Sequence, residues 1–195
     1  LEANKIFQEL IKTNNDSFDL LYEYGLFCKN IKNYNLAKRV FLTLIRKFPS
    51  SINSYILLAE MLRMENKFND AEKVLQKALK INPNHGDLLY NLALLYFALK
   101  NFDHALIYID KAIKLSRNNY IYQLLKSEIY INNCNIDEAL HILEDLKNKN
   151  KVAKDINNEI RIYLAIANAH IKKRDYKEAE NVLLKLIKKH KRLEL

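Results

Sequence analysis

The chain has 195 residues, of which 49% are hydrophobic and 28% charged, and it contains only two glycines, two prolines and no tryptophan. Sheets and tight turns rely on glycine, proline and related turn formers, so this composition predicts an all-α protein. The net charge of +9 is concentrated in residues 147–195, which hold 14 basic and 6 acidic side chains, so the chain as a whole is not a basic surface.

Equivalent residues recur every 34 positions along the chain. Pro49 and Pro83 are separated by this distance, and so are Ala37, Ala71 and Ala105, each of which follows an aromatic residue by three positions. A period of this length is typical of helical hairpins, which bury their apolar faces against neighbouring hairpins. The period therefore predicts a repeat array.

The period also sets the boundaries of the predicted elements. Residues 1–17 fit a second helix whose hairpin partner would precede it, so we expect residues 1–195 to form a single array within a longer one. Full hairpins follow at residues 18–51, 52–85, 86–119, 120–153 and 160–193. Six extra residues precede the last hairpin in a polar, lysine-rich stretch, where we expect a lengthened helix or loop that offsets this hairpin.

Small and large side chains occupy fixed places in each hairpin. The eighth residue is small, the twentieth is alanine, and the twenty-fourth is large and apolar. Small residues let two helices approach closely, and large ones fill the space between neighbouring hairpins. The eighth places hold Gly25, Ala59, Ala93, Ser127 and Ala167, and the twenty-fourth places hold Phe41, Leu75, Ile109, Leu143 and Leu183.

Short polar side chains stand between the two helices of most hairpins. Asn33, Asn101, Asn135 and Asp175 occupy the sixteenth place, and Lys67 is the exception. Such side chains accept hydrogen bonds from the free backbone amides at a helix start. We therefore expect them to cap the second helices.

Two segments resemble the tetratricopeptide repeat (TPR) family: YEYGLFCKNIKNYNLAKRVF and YNLALLYFALKNFDHALIYIDKAI. The small eighth residue, the alanine at the twentieth place and the two prolines belong to the same resemblance, which covers nearly the whole chain. It implies a right-handed α-solenoid of stacked antiparallel helix pairs, a TPR superhelix with about five full repeats and one N-terminal helix. It also implies that first helices line a concave groove and second helices form the convex back.

The fourth hairpin departs from the pattern. Gln123 and Lys126 replace apolar residues, and Arg117 stands where Pro49 and Pro83 stand in earlier hairpins. We expect this hairpin to pack less tightly than the others.

Groove residues in the family occupy the second, fifth, sixth, ninth, twelfth and thirteenth places of a repeat. Here these places are mostly apolar or aromatic, the side chains that dominate binding energy at interfaces. The predicted protein-binding groove comprises Tyr22, Leu26, Ile56, Leu57, Glu60, Arg63, Asp87, Tyr90, Asn91, Leu94, Phe97, Leu124, Leu125 and Glu128, and it continues through Ile131, Arg161, Leu164, Asn168 and Lys172.

We interpret the chain as a non-catalytic interaction module of a larger scaffold or adaptor protein, whose groove binds an apolar or amphipathic protein segment, helical or extended. Some family members grip the free carboxylate of a chaperone tail, but only Asn91 matches their binding residues, so we expect no such ligand. The strip could instead be covered by neighbouring hairpins or by further segments of the same chain.

A second interpretation concerns assembly rather than peptide binding. The chain could be a structural element of a multiprotein machine, such as a bacterial envelope, motility or secretion assembly. It would then dock or self-associate through its convex and end surfaces, which leaves a homo-oligomer open.

The residues that carry catalysis or cofactor binding are missing from the pattern. Gly25 and Gly86 are the only glycines, so no phosphate-binding loop can be built, and the five histidines have no metal-ligand spacing. Cys28 and Cys134 are isolated and read as reduced thiols. We therefore expect no enzyme activity, no cofactor and no metal.

The basic C-terminal cluster is read as a solvated helix end, because cations suit the carboxyl end of a helix and no aromatic residues are interleaved. Binding to nucleic acid, an anionic membrane or an acidic partner is the alternative, and we expect no nucleic acid. The cluster is Lys185, Lys188, Lys189, His190, Lys191 and Arg192.

No apolar run suggests a membrane span, and no signal-peptide core is present. The compartment is therefore unknown and cytoplasmic by default, with a periplasm-facing domain of an anchored protein as the alternative.

Overall fold

The computed structural model describes residues 2–14, 17–148 and 156–191 of the chain. All regular structure in these ranges is α-helical, as predicted, and no strand occurs there. Within the same ranges no helix combines the length and apolar character needed to cross a membrane. The helices are α1 (Glu2–Thr13), α2 (Phe18–Asn30), α3 (Tyr34–Lys47), α4 (Ile52–Met64), α5 (Phe68–Ile81), α6 (Gly86–Ala98), α7 (Phe102–Leu115), α8 (Tyr120–Asn132), α9 (Ile136–Asn148), α10 (Ile156–Lys172) and α11 (Tyr176–Lys191).

The chain divides into two compact units, residues 1–95 and residues 96–195, and the division falls inside α6. In the first unit α2 pairs with α3 and α4 with α5, while α1 packs on α2 and α3 on α4. In the second unit α8 pairs with α9 and α10 with α11, while α7 packs on α8 and α9 on α10. The second helices α3 and α9 thus each lie between the first helix of their own hairpin and that of the next.

Polar side chains cap several second helices. Asn33 accepts a hydrogen bond from an amide in the first turn of α3 at 3.2 Å, and Asn101 accepts one in α7 at 3.3 Å. Asp175 caps α11 in the same way at 3.3 Å. Lys67, the exception in the sequence, makes no side-chain cap at the start of α5. The predicted caps are confirmed at these three helices.

The turn inside each hairpin closes through a residue in the left-handed backbone conformation. The amide that follows donates to the carbonyl five residues back, as Asn33 does to Cys28 at 2.9 Å, which is the Schellman ending of a helix. Glycine usually occupies such a position, because other residues pay about 1 to 2 kcal/mol there. This chain instead uses Lys32, Asn66, Lys100, Cys134 and Arg174, with φ from 57° to 65°, each at the fifteenth place of its hairpin.

The small residue at the eighth place sets how closely the helices of the first hairpin approach. A methyl group added at Gly25 would lie 2.8 Å from two atoms of the Phe41 ring, nearer than non-bonded carbons approach. The Phe41 ring is fully buried, and protein interiors are closely packed, so moving it aside is costly. In the next hairpin Ala59 faces the smaller Leu75 at the same two places, and both are buried.

The fourth hairpin is well packed, contrary to the expectation from its polar substitutions. Lys126 Nζ pairs with Asp110 at 2.7 Å, and Gln123 Nε2 donates to the Arg117 carbonyl at 2.6 Å, so both polar side chains have partners. In α4 the buried places are the third, fourth, seventh, eighth and tenth. In α8 the fourth and seventh places are not buried, and the fifth, sixth and twelfth are buried instead. The buried residues of α8 are Tyr122, Leu124, Leu125, Ser127, Ile129 and Ile131.

This shift of the buried face follows from the position of α10. The α10 helix packs against α8 as well as against α9. Leu124 and Ile131 of α8 share one core cluster with Ile162 and Ile166 of α10. Two places of α8 that are apolar in other hairpins are polar here. Contacts with α10, in the next hairpin, compensate for the apolar packing that is missing at these places.

The last hairpin begins with a lengthened helix, which is one of the two alternatives that the sequence predicted for the insertion. Its first helix α10 has 17 residues, against 13 in α8, and begins at Ile156 rather than at Ile160. In this extra turn Glu159 is 7% exposed and accepts a hydrogen bond from Lys189 Nζ of α11, while Tyr120 of α8 donates to Asn158. Residues 149–155 of the insertion lie outside the described residues, and the expected offset of the hairpin stays a prediction.

We expect Gly25→Ala to lower the free energy of unfolding by about 1 to 3 kcal/mol, because overlap with the Phe41 ring outweighs the better helix propensity of alanine. Adding Phe41→Leu recreates the pair found at Ala59 and Leu75. The double variant should therefore be more stable than the summed single effects by about 1 kcal/mol or more in urea unfolding. Strictly additive effects would show that the two positions do not interlock.

We expect Lys100→Gly to raise the free energy of unfolding by about 0.5 to 1 kcal/mol, because glycine removes the strain of the left-handed turn. The control is Lys73→Gly, an exposed position in the middle of α5, which should lower it by about 1 kcal/mol. Both variants are measured by urea unfolding. A loss of stability in both would contradict the assignment of strain to the turn.

Candidate functional site

The predicted groove residues of the first unit form a half-buried strip along three first helices. They lie on α2, α4 and α6, where apolar and aromatic side chains alternate with a few polar ones. Of the predicted set in this unit, Asp87 alone is exposed. The half-buried residues are Tyr22, Leu26, Ile56, Leu57, Glu60, Arg63, Tyr90, Asn91 and Leu94.

Two of these residues have partners inside the unit. Glu60 accepts a hydrogen bond from Lys29 Nζ at 2.7 Å, which joins α4 to α2 along the strip. The Tyr22 ring stacks on Phe18 with centroids 5.5 Å apart and meets the edge of Phe41 at 6.3 Å. Burial, with a further contribution from the charge of Glu23, raises the pKa of the Tyr22 hydroxyl. These two side chains therefore help to hold the fold together.

A cleft of about 430 Å³ opens in the second unit beside the end of α6 and between α8 and α10. Each lining residue occupies one of the six groove places of the repeat. The sequence interpretation named all but Asn132 and Ala165, which follow from the same rule. The lining residues are Phe97, Leu124, Glu128, Ile131, Asn132, Arg161, Leu164, Ala165 and Asn168.

The apolar part of the cleft combines a fixed wall with an accessible one. Leu124 and Ile131 belong to the core that α8 shares with α10, so their positions are set by packing. Leu164 is 51% exposed and presents its side chain to solvent. Phe97 is half-buried, with its ring centroid 6.2 Å from that of Phe102. A partner would therefore meet Phe97 and Leu164 first.

Two charged residues line the cleft. Burial raises the pKa of the Glu128 carboxyl above its ordinary value of 4.5, and the charge of Arg161 on α10 opposes this effect only in part. Within the described ranges no side chain donates a hydrogen bond to the Glu128 carboxylate. The side chain of Asn132 donates instead to the backbone carbonyl of Glu128 at 2.9 Å. The cleft thus holds a carboxylate that is poorly compensated by its surroundings.

Leu125 does not contribute to an accessible surface, although the register predicted it as a groove residue. It is 2% exposed and lies in the core, and Leu124 is 3% exposed with only its edge toward the cleft. The buried face of α8 includes both the fifth and the sixth places, and Leu124 at the fifth packs in the core that α8 shares with α10. The register identified the face of the helix but not the depth of burial.

A second apolar cleft, of about 520 Å³, was not predicted from the sequence. It lies in the first unit among α3, α4 and α5. Leu42, Leu58, Leu62 and Val74 supply its apolar surface, with charged side chains at its rim. The one signal that could have found it is Leu42, a large apolar residue that is half exposed on a second helix.

The groups that could carry chemistry lie apart from one another. No cluster of three or more His, Cys, Asp or Glu residues suited to a metal ion occurs in the part of the chain that the structure describes. Both cysteines are free thiols: Cys134 is exposed, and burial raises the pKa of the Cys28 thiol. A raised thiol pKa opposes nucleophilic reactivity at neutral pH.

The raised pKa of Glu128 predicts a pH-dependent stability. A folded-state pKa above the unfolded value means that ionised Glu128 penalises the folded state at neutral pH, and that the penalty fades as pH falls through the raised pKa. Glu128→Gln should therefore raise the melting temperature at neutral pH by about 1 to 3 °C, and the gain should vanish near the ordinary glutamate pKa. Arg161 is the other charged group of the cleft.

Glu65→Gln is the control of opposite sign. Hydrogen bonds from Lys38 and Lys67 lower the pKa of Glu65, so this replacement should lower the melting temperature at neutral pH, and the loss should shrink as pH falls below 4.5. Scanning calorimetry across this pH range measures both variants. A pH-independent difference for Glu128→Gln would contradict the assignment.

Solved structures with the same arrangement of helices cover almost the whole chain. A tetratricopeptide repeat protein from Parabacteroides merdae matches 95% of this chain and 72% of its own, with a TM-score of 0.80 and 17% identity. Yeast Tom70 matches 95% of this chain and 39% of its own, with a TM-score of 0.71 and 22% identity. YrrB, described as a TPR protein with an unusual peptide-binding site, matches 93% of this chain and 91% of its own at a TM-score of 0.61 and 18% identity. The predicted fold class, an all-α solenoid of helix pairs, is confirmed.

Curated relatives are distant and much longer than this chain. Anaphase-promoting complex subunit 3 of Schizosaccharomyces pombe is 28% identical over 60% of the chain and 17% of its own length. Mitochondrial import receptor subunit TOM70 of Mus musculus is 24% identical over 77% of the chain and 24% of its length. A UDP-N-acetylglucosamine–peptide N-acetylglucosaminyltransferase of Giardia intestinalis is 23% identical over 86% of the chain and 11% of its length. The chain thus spans about a quarter or less of each of these relatives.

Family models agree with the hairpin pattern at the level of sequence. Residues 62–126 match one tetratricopeptide repeat model, and residues 160–188 match another. These stretches include the small eighth residues Ala93 and Ala167, three alanines at the twentieth place and three of the left-handed turns described above. With the period and the helix pairs, they place the chain in the tetratricopeptide repeat family.

Proposed function

We propose that the chain is a non-catalytic protein-interaction module of a larger scaffold or adaptor protein, and that it binds an apolar or amphipathic segment of a partner along its first helices. The observation that carries this proposal is the cleft of the second unit, whose lining residues all occupy groove places of the repeat. Apolar surface left accessible in a concave site favours an interface.

The size and lining of the cleft suit peptide side chains. Its volume of about 430 Å³ is at the small end of the range for ligand pockets, which suits one or two side chains of a bound segment. Phe97 and Leu164 are the apolar anchors within reach, and anchors of this kind supply most of the binding energy at interfaces. The half-buried strip of the first unit offers further contacts of the same type.

The relatives support an interaction role. The names of anaphase-promoting complex subunit 3 and mitochondrial import receptor subunit TOM70 both describe subunits of larger assemblies. YrrB is described as a TPR protein with an unusual peptide-binding site. These similarities favour a module that holds other proteins over an isolated enzyme.

Exposed apolar residues on α1 and α11 favour a second candidate, docking or self-association through end surfaces. The twenty-seventh place is buried at Leu44 but 44% exposed at Leu10 on α1. The twenty-eighth place is buried at Ile45 but 50% exposed at Ile187 on α11. Light scattering at several concentrations tests this candidate, and a chain that remains monomeric would weaken self-association.

The variant Phe97→Ala with Leu164→Ala tests the groove proposal, because it removes the two accessible apolar anchors and leaves the core of α8 in place. We expect it to weaken partner binding at least about tenfold, as loss of a hot spot does. Partners are captured from the native source with the wild-type chain and quantified by mass spectrometry, and binding of a purified captured partner is then titrated.

Leu115→Ala with Leu184→Ala is the matched control, since both residues lie half exposed on second helices of the same unit. It should bind like the wild type, and circular dichroism should show both variants folded. Full binding by the Phe97 and Leu164 variant would sink the groove proposal. A loss confined to the control variant would favour docking through second helices.

A further inference from the structure

The Glu128 carboxylate suggests what the cleft of the second unit recognises. We propose that this cleft binds a peptide segment that carries an arginine or lysine beside an apolar side chain, with Glu128 receiving the cation. The inference rests on the proposed function and adds to it the charge of the ligand. Its basis is the cavity itself, which brings one partly buried acid together with an apolar wall.

Several other partly buried acids in the part of the chain that the structure describes have cationic partners. Glu60 pairs with Lys29 at 2.7 Å, and Glu65 contacts Lys38 at 2.5 Å and Lys67 at 2.9 Å. Burial of a carboxylate is offset in these cases by a charge-assisted hydrogen bond.

Glu128 lies in a similar setting without such a bond from the described residues. Arg161 acts on it only as a nearby charge, and its influence is smaller than the effect of burial. A carboxylate in this position gains more from an incoming cation than an acid that is already paired, because its desolvation has already occurred in the free protein.

The wall of the cleft matches the stem of a long basic side chain. Leu124 and Ile131 flank Glu128 on α8, one turn before it and one turn after it, and Leu164 faces them from α10. An arginine or lysine can lay its methylene groups along such a surface while its charged head reaches an acid. The polar end of the ligand then meets Glu128, and a neighbouring apolar side chain meets Phe97.

An acidic ligand fits the same cleft less well. A carboxylate directed at Arg161 would lie close to Glu128, and repulsion between like charges in a partly buried site is costly. Arg161 is exposed, so its long side chain can turn toward solvent when a cation binds. The charges of the cleft therefore favour basic over acidic segments.

A peptide array tests this inference with the full 195-residue chain. The probes are twelve-residue peptides of leucine, phenylalanine, alanine and asparagine in varied order, each with one position set to arginine, lysine, glutamine, norleucine or glutamate. Bound peptides are measured again in solution by fluorescence polarisation. We expect arginine or lysine peptides to bind about tenfold more tightly than their glutamine and glutamate counterparts.

Glu128→Gln should remove most of this preference while retaining binding of the norleucine peptides. Glu138→Gln, at an exposed position of α9, is the control and should keep the preference. Equal binding of all charge classes, a preference for glutamate, or a preference that survives in Glu128→Gln would overturn the inference and leave the groove proposal intact. Absence of binding by every peptide, or undiminished binding by the Phe97 and Leu164 variant, would overturn both.

Discussion

The close approach of neighbouring helices is the constraint on which the fold depends. Small residues at the eighth and twentieth places let the helices touch, and one large residue at the twenty-fourth place fills the gap that remains. At Gly25 and Phe41 the fit leaves no space even for a methyl group. Because all the large residues at this place but Leu183 are fully buried, the direction of each first helix is fixed by the core. The groove side chains inherit their positions from this packing.

Much of the fold could be predicted from the sequence, because the small and large residues repeat with a constant period. The turns could not. Their usual marker is glycine, and here lysine, asparagine, cysteine and arginine take the left-handed position, as at Lys32 and Cys134. The backbone is held there by the hydrogen bonds of the helix ending rather than by residue preference. A composition poor in glycine therefore excluded sheets correctly but gave no indication of how the hairpins turn.

The candidate site, like the fold, could be predicted from the sequence only in part. The register depends only on spacing within one helix, and the residues that line the cleft all occupy predicted groove places, whose role in binding stays a prediction. It did not give the burial of Leu124 or the environment of Glu128, because both depend on how α10 packs against α8. The sequence left open whether the insertion lengthens a helix or a loop, because Glu159 in the extra turn of α10 finds its partner Lys189 thirty residues away. Contacts that occur at only one pair of hairpins leave no periodic trace in the sequence.

The irregular fourth hairpin has a consequence for how a ligand would be aligned. An array of identical hairpins offers a bound strand or helix several equivalent positions, displaced by one hairpin each, and selects none of them. The packing of α10 against α8 shifts the buried face of α8, and the Glu128 carboxylate and an apolar wall meet in the cleft of the second unit. This irregularity makes the successive positions along the array unequal. Under the proposed function, a segment with one matching side chain would bind in a single register.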